Sequence, residues 1–328
     1  PDSRALIRVT SPNTGGAKQS IRINMLTSEV NAMHTAAEIL DNHRRDCTLI
    51  TDEGNIAYDA GIRLRGSMFS RRNRTSTGLN LKFPSDRRYR DLHSTITVRT
   101  GNRREILVKH IINAAGGLHD NYNDIVQLNG YASGPSGRAR MEMARFGSTY
   151  LDSLPGGDGG DGTVFKMEGI RVFQSTSGGI KTPFPIGWVS SFDLADQGDD
   201  QEIYRHNLRI NTGLARDDYS DVMEMCKLLS LSGQELEDAA PEVINIDMWC
   251  RQFATLSLCG IGDTYTQGNP HNLNMFVRPG DGLVEPMPWD WDFMFNRSTS
   301  AGLWGNKNFS KIPARPVFTR LVHGHLQD

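Results

Sequence analysis

The sequence predicts an α+β protein with two lobes, and two observations support this fold class. The chain has 328 residues, of which 38% are hydrophobic and 23% charged, a globular composition that suits two lobes around a cleft. Its first half alternates apolar and polar residues as short β-strands do, whereas its second half has the spacing of amphipathic helices. We therefore predict a strand-rich N-lobe at residues 1–168 and a helix-rich C-lobe at residues 169–328, with a cleft between them.

Short alternating or apolar runs predict the strands of the N-lobe. The predicted strands cover residues 20–26, 47–50, 62–64, 79–83, 94–98 and 163–168. Helical spacing predicts helices over residues 27–42 and 138–151. The stretch 155–162 consists of glycine, aspartate and a proline. Because it lacks the spaced carboxylates and the final glutamate of an EF-hand, we expect a loop there rather than a calcium site.

Capping residues and apolar spacing predict two helices in the C-lobe, since Asp and Asn cap helix N-termini and glycine ends helices. The predicted caps and ends are Asp217 or Asp218 and Leu231 for the first helix, and Asn245 or Asp247 and Gly260 for the second. Two strands follow, at residues 273–277 and 284–287. Residues 323–328 contain no helix stop, so we expect the C-lobe to continue beyond them in the parent protein.

Charge and cysteine content limit the possible partners. The formal net charge is −2, so the overall charge gives no support for nucleic acid as a partner. No apolar run approaches the roughly 18 residues that a membrane-spanning helix needs, and we expect no membrane span in this segment. The four cysteines are widely spaced, with no Cys-x-x-Cys pair, and we interpret them as small buried hydrophobic residues rather than zinc ligands.

The positive charge is concentrated in one stretch of the predicted N-lobe. Between Arg63 and Lys109 there are thirteen Arg or Lys residues and three acidic ones, Asp86, Asp91 and Glu105. Such a stretch is commonly a solvated face of the protein. It is equally consistent with a surface that faces phosphate groups, and the composition alone leaves both interpretations open.

The residues most suggestive of chemistry follow the second predicted helix of the C-lobe. Asp263 comes just after the helix-ending glycines, His271 and Asn272 precede an apolar strand, and Asp290 follows the next strand in the sequence Pro-Trp-Asp-Trp-Asp. Phosphoryl transfer needs one carboxylate to orient or deprotonate the attacking hydroxyl, and a second carboxylate with an amide oxygen to hold magnesium. The order Asp, Asn, Asp is that of protein kinases. However, Asp263 precedes Asn272 by nine positions, whereas the kinase catalytic loop places the two residues closer together.

Each of these residues also has a structural interpretation. An aspartate after a helix-ending glycine is commonly a turn residue, His271 and Asn272 could simply precede a strand, and the two tryptophans could form a packed turn. Metal-dependent hydrolysis by Asp263, Asp290 and Asp292 is a further alternative. Hydrolytic metal sites usually add histidine ligands at close spacing, and only His271 is near these acids in the sequence.

Short segments along the chain form a characteristic set. They are residues 61–67 (GIRLRGS), 79–83 (LNLKF), 143–146 (MARF), 150–153 (YLDS), Asp263, His271 and Asn272 with the strand after them, 288–290 (PWD) and 290–293 (DWDF). Together they resemble the CotH kinase family, atypical protein-kinase-like proteins named for a spore-coat protein. The resemblance covers most of the chain from about residue 20 onward, and it is greatest to CotH-domain proteins of Gram-negative bacteria. It implies a two-lobed atypical protein-kinase-like fold.

The resemblance also implies an activity, that of an ATP-dependent protein Ser/Thr kinase using ATP and Mg²⁺ or Mn²⁺. Such an enzyme would transfer the γ-phosphate to a secreted or surface protein, or to itself. By resemblance, Asp263 is the catalytic carboxylate, and Asn272 and Asp290 hold the metal, with Asp292 as a further acid beside them. The alternative is a catalytically silent CotH-like module that serves adhesion or coat assembly.

In the N-lobe, the resemblance implies a nucleotide-phosphate site at Arg65, Gly66, Ser67 and Lys82. Glycine lets the backbone approach a phosphate closely, and a hydroxyl or a backbone N–H can donate to it. Lys82 stands between two apolar residues of a predicted strand, and its ammonium would reach the α- and β-phosphates. The alternative interpretation is that Lys82 is an exposed lysine of a strand, with no role in phosphate binding.

A kinase lysine of this kind needs a glutamate partner from a helix. We predict Glu142, in the predicted helix at residues 138–151, as the partner of Lys82, with Glu168 as the alternative. His271 and Trp289 are predicted to support the site: the histidine by orienting the catalytic loop through a hydrogen bond, and the tryptophan by packing beneath the metal residues.

Overall fold

The computed structural model describes residues 19–327, apart from residues 36, 53, 67, 72, 101–102, 133–135, 155–161, 168–170, 174–175, 178–179, 182–185, 189–191 and 268–270. In this described part of the chain, no helix has the length and apolar character needed to cross a bilayer. The predicted loop at residues 155–162 lies almost entirely outside the described residues.

The first seven strands form a closed β-barrel. They are β1 (Ser20–Asn24), β2 (Arg45–Thr51), β3 (Asn55–Arg65), β4 (Gly78–Lys82), β5 (Thr95–Arg99), β6 (Asn123–Gly130) and β7 (Arg138–Ala144). Their hydrogen-bonded order is β1-β2-β3-β4-β5-β7-β6, and β1 closes the barrel by pairing in parallel with β6. A short helix, α1 (Thr27–Met33), and a single turn, α2 (Met68–Arg71), lie between barrel strands in the sequence.

The prediction of a two-lobed protein-kinase-like fold is therefore wrong. The chain has a closed seven-stranded barrel and a separate four-stranded sheet instead. The positions of the early strands were predictable because alternation of apolar and polar residues is a local signal. Barrel closure was not, because Ser20 pairs with Gln127, more than a hundred positions away, and no local pattern records such a pairing.

The predicted helix over residues 138–151 is also wrong. Most of it is strand β7, and only the single turn α4 (Ser148–Leu151) is helical. Strand β7 pairs with β5 in antiparallel register, with Glu142 opposite Val98 and Met143 opposite Thr97. The sequence Arg-Ala-Arg-Met-Glu-Met-Ala alternates with period two, and pairing in the barrel decided between that pattern and the helical spacing.

The chain divides into two compact units, Pro1–Ser94 with Ile125–Arg140, and Thr95–Asp124 with Met141–Asp328. The predicted division between residues 168 and 169 stays a prediction. In the first unit, the buried Arg71 donates to the carbonyl oxygens of Gly66, at 2.9 Å, and of Asp41, at 3.1 Å, and to the side chain of Asn42. This arginine of the basic stretch therefore connects the backbone at Gly66 to the segment at Asp41 and Asn42, and its side chain does not face solvent.

The second unit contains most of the helices and a second sheet. Its remaining elements are α3 (Arg103–Ala115), β8 (Thr163–Met167), β9 (Arg171–Phe173), β10 (Thr176–Ser177), β11 (Ile180–Lys181), β12 (Ile186–Trp188), α5 (Gln201–Asn207), β13 (Leu208–Thr212), α6 (Ser220–Leu228), α7 (Gly233–Val243), α8 (Ile246–Leu258), β14 (Leu273–Val277), β15 (Val284–Met287) and α9 (Pro316–His325). The second sheet has the order β13-β8-β14-β15 and is antiparallel throughout. Two small sheets, β10-β11 and β12-β9, lie between β8 and α5 in the sequence.

Helix α8 organises the main core of the second unit. Its N-cap is Asn245, one of the two predicted caps, whose side chain accepts a hydrogen bond from the backbone N–H of Met248. The ring of Trp249 stacks on Phe309 with centroids 3.9 Å apart. Another face of the helix places Leu256 in a smaller cluster with Trp291, next to the predicted metal residues.

Helix α8 provides a matched test of this packing. Leu256 is 3% exposed and Leu258 is 64% exposed, two positions apart on the same helix. Leu256→Ala should lower the free energy of unfolding by about 2–5 kcal/mol, because it removes buried apolar contacts and leaves a cavity. Leu258→Ala should change it by less than about 0.5 kcal/mol. Urea denaturation of both variants checks this, and equal losses would show that the assigned burial is wrong.

Candidate functional site

A β-hairpin in the second unit positions two of the predicted metal residues. Strands β14 and β15 lie where the sequence predicted them, and they pair in antiparallel register with Asn274 opposite Met287. Asn272 immediately precedes β14, and Asp290 follows shortly after β15. Because these are the adjacent ends of neighbouring antiparallel strands, the hairpin brings the two residues to the same edge of the sheet.

Asn272 and Asp290 share an uncommon backbone conformation. Each has a φ of +57°, in the left-handed region that non-glycine residues seldom occupy, although Asn and Asp tolerate it best. Such a conformation costs on the order of 1 kcal/mol or more and persists where the surroundings hold it in place. Because this conformation is not extended, the β-strand backbone cannot continue through Asn272 or Asp290.

Asp263 is held by the two residues that precede β14. The His271 Nε2 atom lies 3.0 Å from Asp263 Oδ1. The Asn272 side chain donates from Nδ2 to the backbone carbonyl of Asp263 at 2.8 Å and to Oδ2 of its carboxylate at 3.3 Å. His271 thus makes the orienting contact that the sequence predicted, and the two residues fix the carboxylate across the gap of nine positions.

The structure adds a basic residue that sequence reasoning missed. Arg99, the last residue of β5, donates from Nη1 to Asp290 Oδ1 and from Nη2 to Asp292 Oδ2 at 3.1 Å. Its Nη2 atom also lies 2.7 Å from Oε2 of Glu105 on α3. Both residues belong to the basic stretch, and Glu105 is one of its three acids. An acid isolated among so many cations was the available signal that it pairs with one of them.

The charges of this cluster perturb one another strongly. Burial alone lowers the pKa of the Arg99 guanidinium, but Asp290, Glu105 and Asp292 outweigh burial and raise it. Burial raises the pKa of the Glu105 carboxyl to about 7, against the opposing effect of Arg99. Burial also raises the pKa of Asp292 to about 6, with further contributions from the charges of Asp290 and Asp263. These carboxylates therefore interact electrostatically with one another, and the positive charge of Arg99 offsets part of their negative charge.

A second buried cation lies on the same helix as Glu105. Lys109 stands one helical turn further along α3, where side chains share a face. Its ammonium contacts Asn121 and lies 3.4 Å from Asp120 Oδ1. Burial lowers the pKa of Lys109, although Asp120 and Glu105 oppose that effect. Helix α3 thus carries two buried side chains of opposite charge, Glu105 and Lys109, which interact electrostatically with each other and with Arg99.

The two tryptophans near Asp290 pack as the sequence predicted. Trp289 lies in a cluster with Phe146, Val164 and Met287, and Trp291 lies in the cluster that contains Leu256. The ammonium of Lys166, on β8, lies 5.3 Å from the centroid of the Trp289 ring. Packing on both sides of Asp290 restricts the conformations available to this segment.

The predicted phosphate residues lie in the first unit. Lys82 is exposed at the end of β4, and Arg65 is partly buried at the end of β3. Gly66 has a φ of +101°, and a Cβ there would lie 2.0 Å from Ser70 Oγ, so Ser70 accounts for the close approach at this glycine. Ser67 lies outside the described residues. The assignment of these residues to phosphate stays a prediction.

The helix that was predicted to carry Glu142 is a strand instead, and the pairing of Glu142 with Lys82 stays a prediction. Glu142 is a fully buried residue of strand β7. Its carboxylate accepts a hydrogen bond from the Tyr122 hydroxyl at 2.6 Å. Glu168, the alternative partner, lies outside the described residues.

The residue types at the hairpin edge fit a magnesium ion. Mg²⁺ prefers oxygen ligands such as carboxylates and amide carbonyls. Asn272 directs its Nδ2 toward Asp263, which leaves its Oδ1 as the atom available to a cation. Asp290 and Asp292 add carboxylate oxygens. Among the described residues, no group of three or more His, Cys, Asp or Glu side chains is arranged to hold a metal ion, and Arg99 already contacts both of these aspartates.

Comparison with known families supports part of the sequence interpretation. Residues 179–323 match a family model described as CotH kinase protein, so the predicted resemblance is confirmed for this part of the chain. The match includes Asp263, Asn272, Asp290 and Asp292. None of the curated proteins compared with the chain matches it. The closeness to proteins of Gram-negative bacteria stays a prediction.

A buried carboxylate supports the hairpin from the opposite end. Glu285, on β15, accepts hydrogen bonds from His119 Nε2 and Asn245 Nδ2, both at 2.8 Å, and from Arg278 Nη1 at 3.3 Å. Burial alone raises the pKa of Glu285, but the hydrogen bonds from His119 and Asn245 outweigh burial and hold the pKa below its usual value. Glu285 thereby links the hairpin to the N-terminus of α8.

The lowered pKa of Glu285 predicts a pH dependence of stability. Folding favours its ionised form, so its contribution is complete above the unfolded-state pKa of about 4.3 and is lost as the pH falls through the folded-state value. Glu285→Gln should lower the free energy of unfolding at pH 7 by about 1–3 kcal/mol. The difference from wild type should shrink as the pH falls below about 4. Urea denaturation across this range checks it, and a difference independent of pH would contradict the assignment.

Proposed function

We propose that this protein is an ATP-dependent protein kinase of the CotH type, which transfers the γ-phosphate to a Ser or Thr hydroxyl of a secreted or surface protein, or of itself. The observation that carries the proposal is the arrangement of Asp263, Asn272 and Asp290. They keep the order of a phosphoryl-transfer site within the segment that matches the CotH family model. Asn272 donates a hydrogen bond to the Asp263 carboxylate. The charges of Asp263 and Asp290 both act on the neighbouring carboxyl of Asp292.

Asp263 is the proposed catalytic carboxylate. A transferring kinase needs one carboxylate placed to orient the acceptor hydroxyl and take its proton. Two contacts restrict the orientation of Asp263, from His271 on Oδ1 and from Asn272 on Oδ2. A fixed carboxylate suits this role, because catalysis by positioning loses its advantage when the group is free to rotate.

Asn272 and Asp290 are the proposed metal ligands, with Asp292 close by. When bound there, Mg²⁺ or Mn²⁺ would neutralise phosphate charge and orient the nucleotide. The protein's own contribution is to hold an amide oxygen and a carboxylate at adjacent ends of a hairpin. One face of the hairpin packs in the cluster of Trp289, through Phe276 and Met287, and Met275 and Val284 pack in the main core of the second unit.

The second candidate function is a catalytically silent module for adhesion or coat assembly. One observation favours it: Arg99 contacts both Asp290 and Asp292, so the proposed metal ligands already have a cationic partner. A module of this kind would need no nucleotide. Binding and transfer measurements therefore separate the two functions.

Nucleotide binding is the first expected outcome. ATP with Mg²⁺ or Mn²⁺ should raise the melting temperature of the wild-type protein, because a ligand at a hundred times its Kd stabilises the folded state by about 2.7 kcal/mol. ADP and metal-free ATP serve as comparisons in the same thermal-shift assay. The absence of any shift with every metal would favour the silent module.

Phosphate transfer should depend on Asp263. Asp263→Asn should reduce incorporation of radiolabelled γ-phosphate into the protein itself or into casein by roughly 10²–10⁴-fold, the usual contribution of a general acid or base. The matched control is Asp281→Asn in the exposed turn of the same hairpin, where Asp281 pairs with Arg278. Unchanged transfer by Asp263→Asn, with ATP binding retained, would refute the proposed role.

A further inference from the structure

Arg99 has an inner and an outer set of partners. Its inner partner, Glu105, has a side chain with 0% exposure, and neither of its carboxylate oxygens accepts a hydrogen bond of regular geometry from a described residue, although Oε2 lies 2.7 Å from Arg99 Nη2 as an ion pair. The outer partners, Asp290 and Asp292, have side chains that are 33% and 25% exposed. The guanidinium is therefore anchored from the interior and reaches outward to the solvent side of the site.

The outer contacts can be exchanged more easily than the inner one. The Glu105 carboxyl has 0% exposure and no access to water, so its ionised form is compensated only while Arg99 stays beside it. Asp290 and Asp292 are partly solvated, and water can replace part of what the guanidinium provides. A guanidinium has five N–H donors in a fixed planar arrangement. It can hold one inner carboxylate while an outer partner is replaced by another anion.

A nucleotide phosphate is the anion that this arrangement fits. Arginine binds phosphate with paired, charge-assisted hydrogen bonds, as it binds carboxylate. At the site described above, phosphate groups would arrive together with a divalent cation, and that cation needs the oxygens of Asp290 that Arg99 now contacts. Both new partners therefore favour moving the outer contact of the arginine from Asp290 to phosphate.

We propose that Arg99 is the phosphate-binding side chain of the site, and that it passes from Asp290 to a nucleotide phosphate when the metal–nucleotide complex binds. This inference rests on the proposed nucleotide function. Glu105 acts as a positioning residue that keeps the guanidinium in place during the exchange. The sequence prediction gave the phosphate role to Lys82, whereas the residue in contact with the proposed metal ligands is Arg99.

The exchange makes metal binding and nucleotide binding depend on each other. A divalent cation alone must compete with the positive charge of Arg99 for Asp290, so it should bind weakly. A nucleotide that draws the guanidinium away strengthens metal binding. By linkage, the metal strengthens nucleotide binding by the same factor. Removal of the positive charge at position 99 should therefore shift the two affinities in opposite directions.

A purely structural role for Arg99 makes a different prediction. If the arginine only ties β5 and α3 to the Asp290 segment, its loss would loosen the metal ligands. The affinity for metal alone would then fall, or stay the same. The sign of the change in metal affinity separates the two roles.

The test uses Mn²⁺ as the metal and the non-hydrolysable analogue AMP-PNP as the nucleotide. The variants are Arg99→Gln combined with Glu105→Gln, which removes both buried charges so that neither is left uncompensated, and Arg99→Lys, which keeps one positive charge. The matched control is Arg251→Gln, which removes an arginine from the surface pair with Asp247 on α8. Far-ultraviolet circular dichroism establishes that each variant is folded.

Electron paramagnetic resonance titration measures the affinity for Mn²⁺ alone, and calorimetry measures the affinity for AMP-PNP with Mn²⁺. The double variant should bind Mn²⁺ alone at least threefold more tightly and AMP-PNP at least tenfold more weakly than wild type. The affinities of Arg99→Lys for Mn²⁺ and for AMP-PNP should lie between those of wild type and of the double variant, because an ammonium keeps the positive charge but lacks the planar paired donors. The Arg251 control should match wild type.

The outcomes distinguish this inference from the proposed function. One outcome is that wild type binds AMP-PNP but the double variant binds Mn²⁺ alone no more tightly than wild type does. That outcome overturns the phosphate role of Arg99 and leaves the kinase proposal intact. A double variant that fails to fold moves the decision to Arg99→Lys, where unchanged affinities for both ligands overturn the role. Failure of wild type to bind AMP-PNP overturns both proposals.

Discussion

The ion-pair cluster centred on Arg99 is the interaction on which the candidate site depends. One guanidinium faces the carboxylates of Glu105, Asp290 and Asp292. Removing one partner of a buried ion pair typically costs about 3–5 kcal/mol, because the other charge remains desolvated. The cluster therefore constrains where α3 and the Asp290 segment lie within the second unit. The same cluster places a cation, Arg99, in contact with Asp290 and Asp292, the proposed acidic metal ligands.

The β14–β15 hairpin brings the residues of the candidate site together beside this ion-pair cluster. Its register places Asn272 and Asp290 at adjacent strand ends, and the left-handed conformation of both residues ends the strand pattern there. Glu285 ties the hairpin to Asn245, the N-cap of α8. Asp263 follows the end of that helix. The second unit thus holds the proposed catalytic carboxylate and the proposed metal ligands together.

Local features of the site could be predicted from the sequence, and long-range ones could not. The bounds of β14 and β15 and the Asn245 cap follow from patterns within a few residues, and the structure has them where predicted. The contact of Arg99 with Asp290 joins residues 191 positions apart, and the closing of the barrel joins β1 to β6. Glu142 shows a third limit, because helical spacing and strand alternation compete in the same seven residues and only tertiary pairing decides between them.

The proposed roles of these residues are tested most directly by a crystal structure of the protein with AMP-PNP and Mn²⁺, using anomalous scattering to locate the metal. We expect an anomalous peak within coordination distance of Asn272 Oδ1 and an Asp290 oxygen, with the Arg99 guanidinium on a phosphate oxygen and still paired with Glu105. A nucleotide bound away from these residues, or a bound metal–nucleotide complex with Arg99 still on Asp290, would contradict these roles.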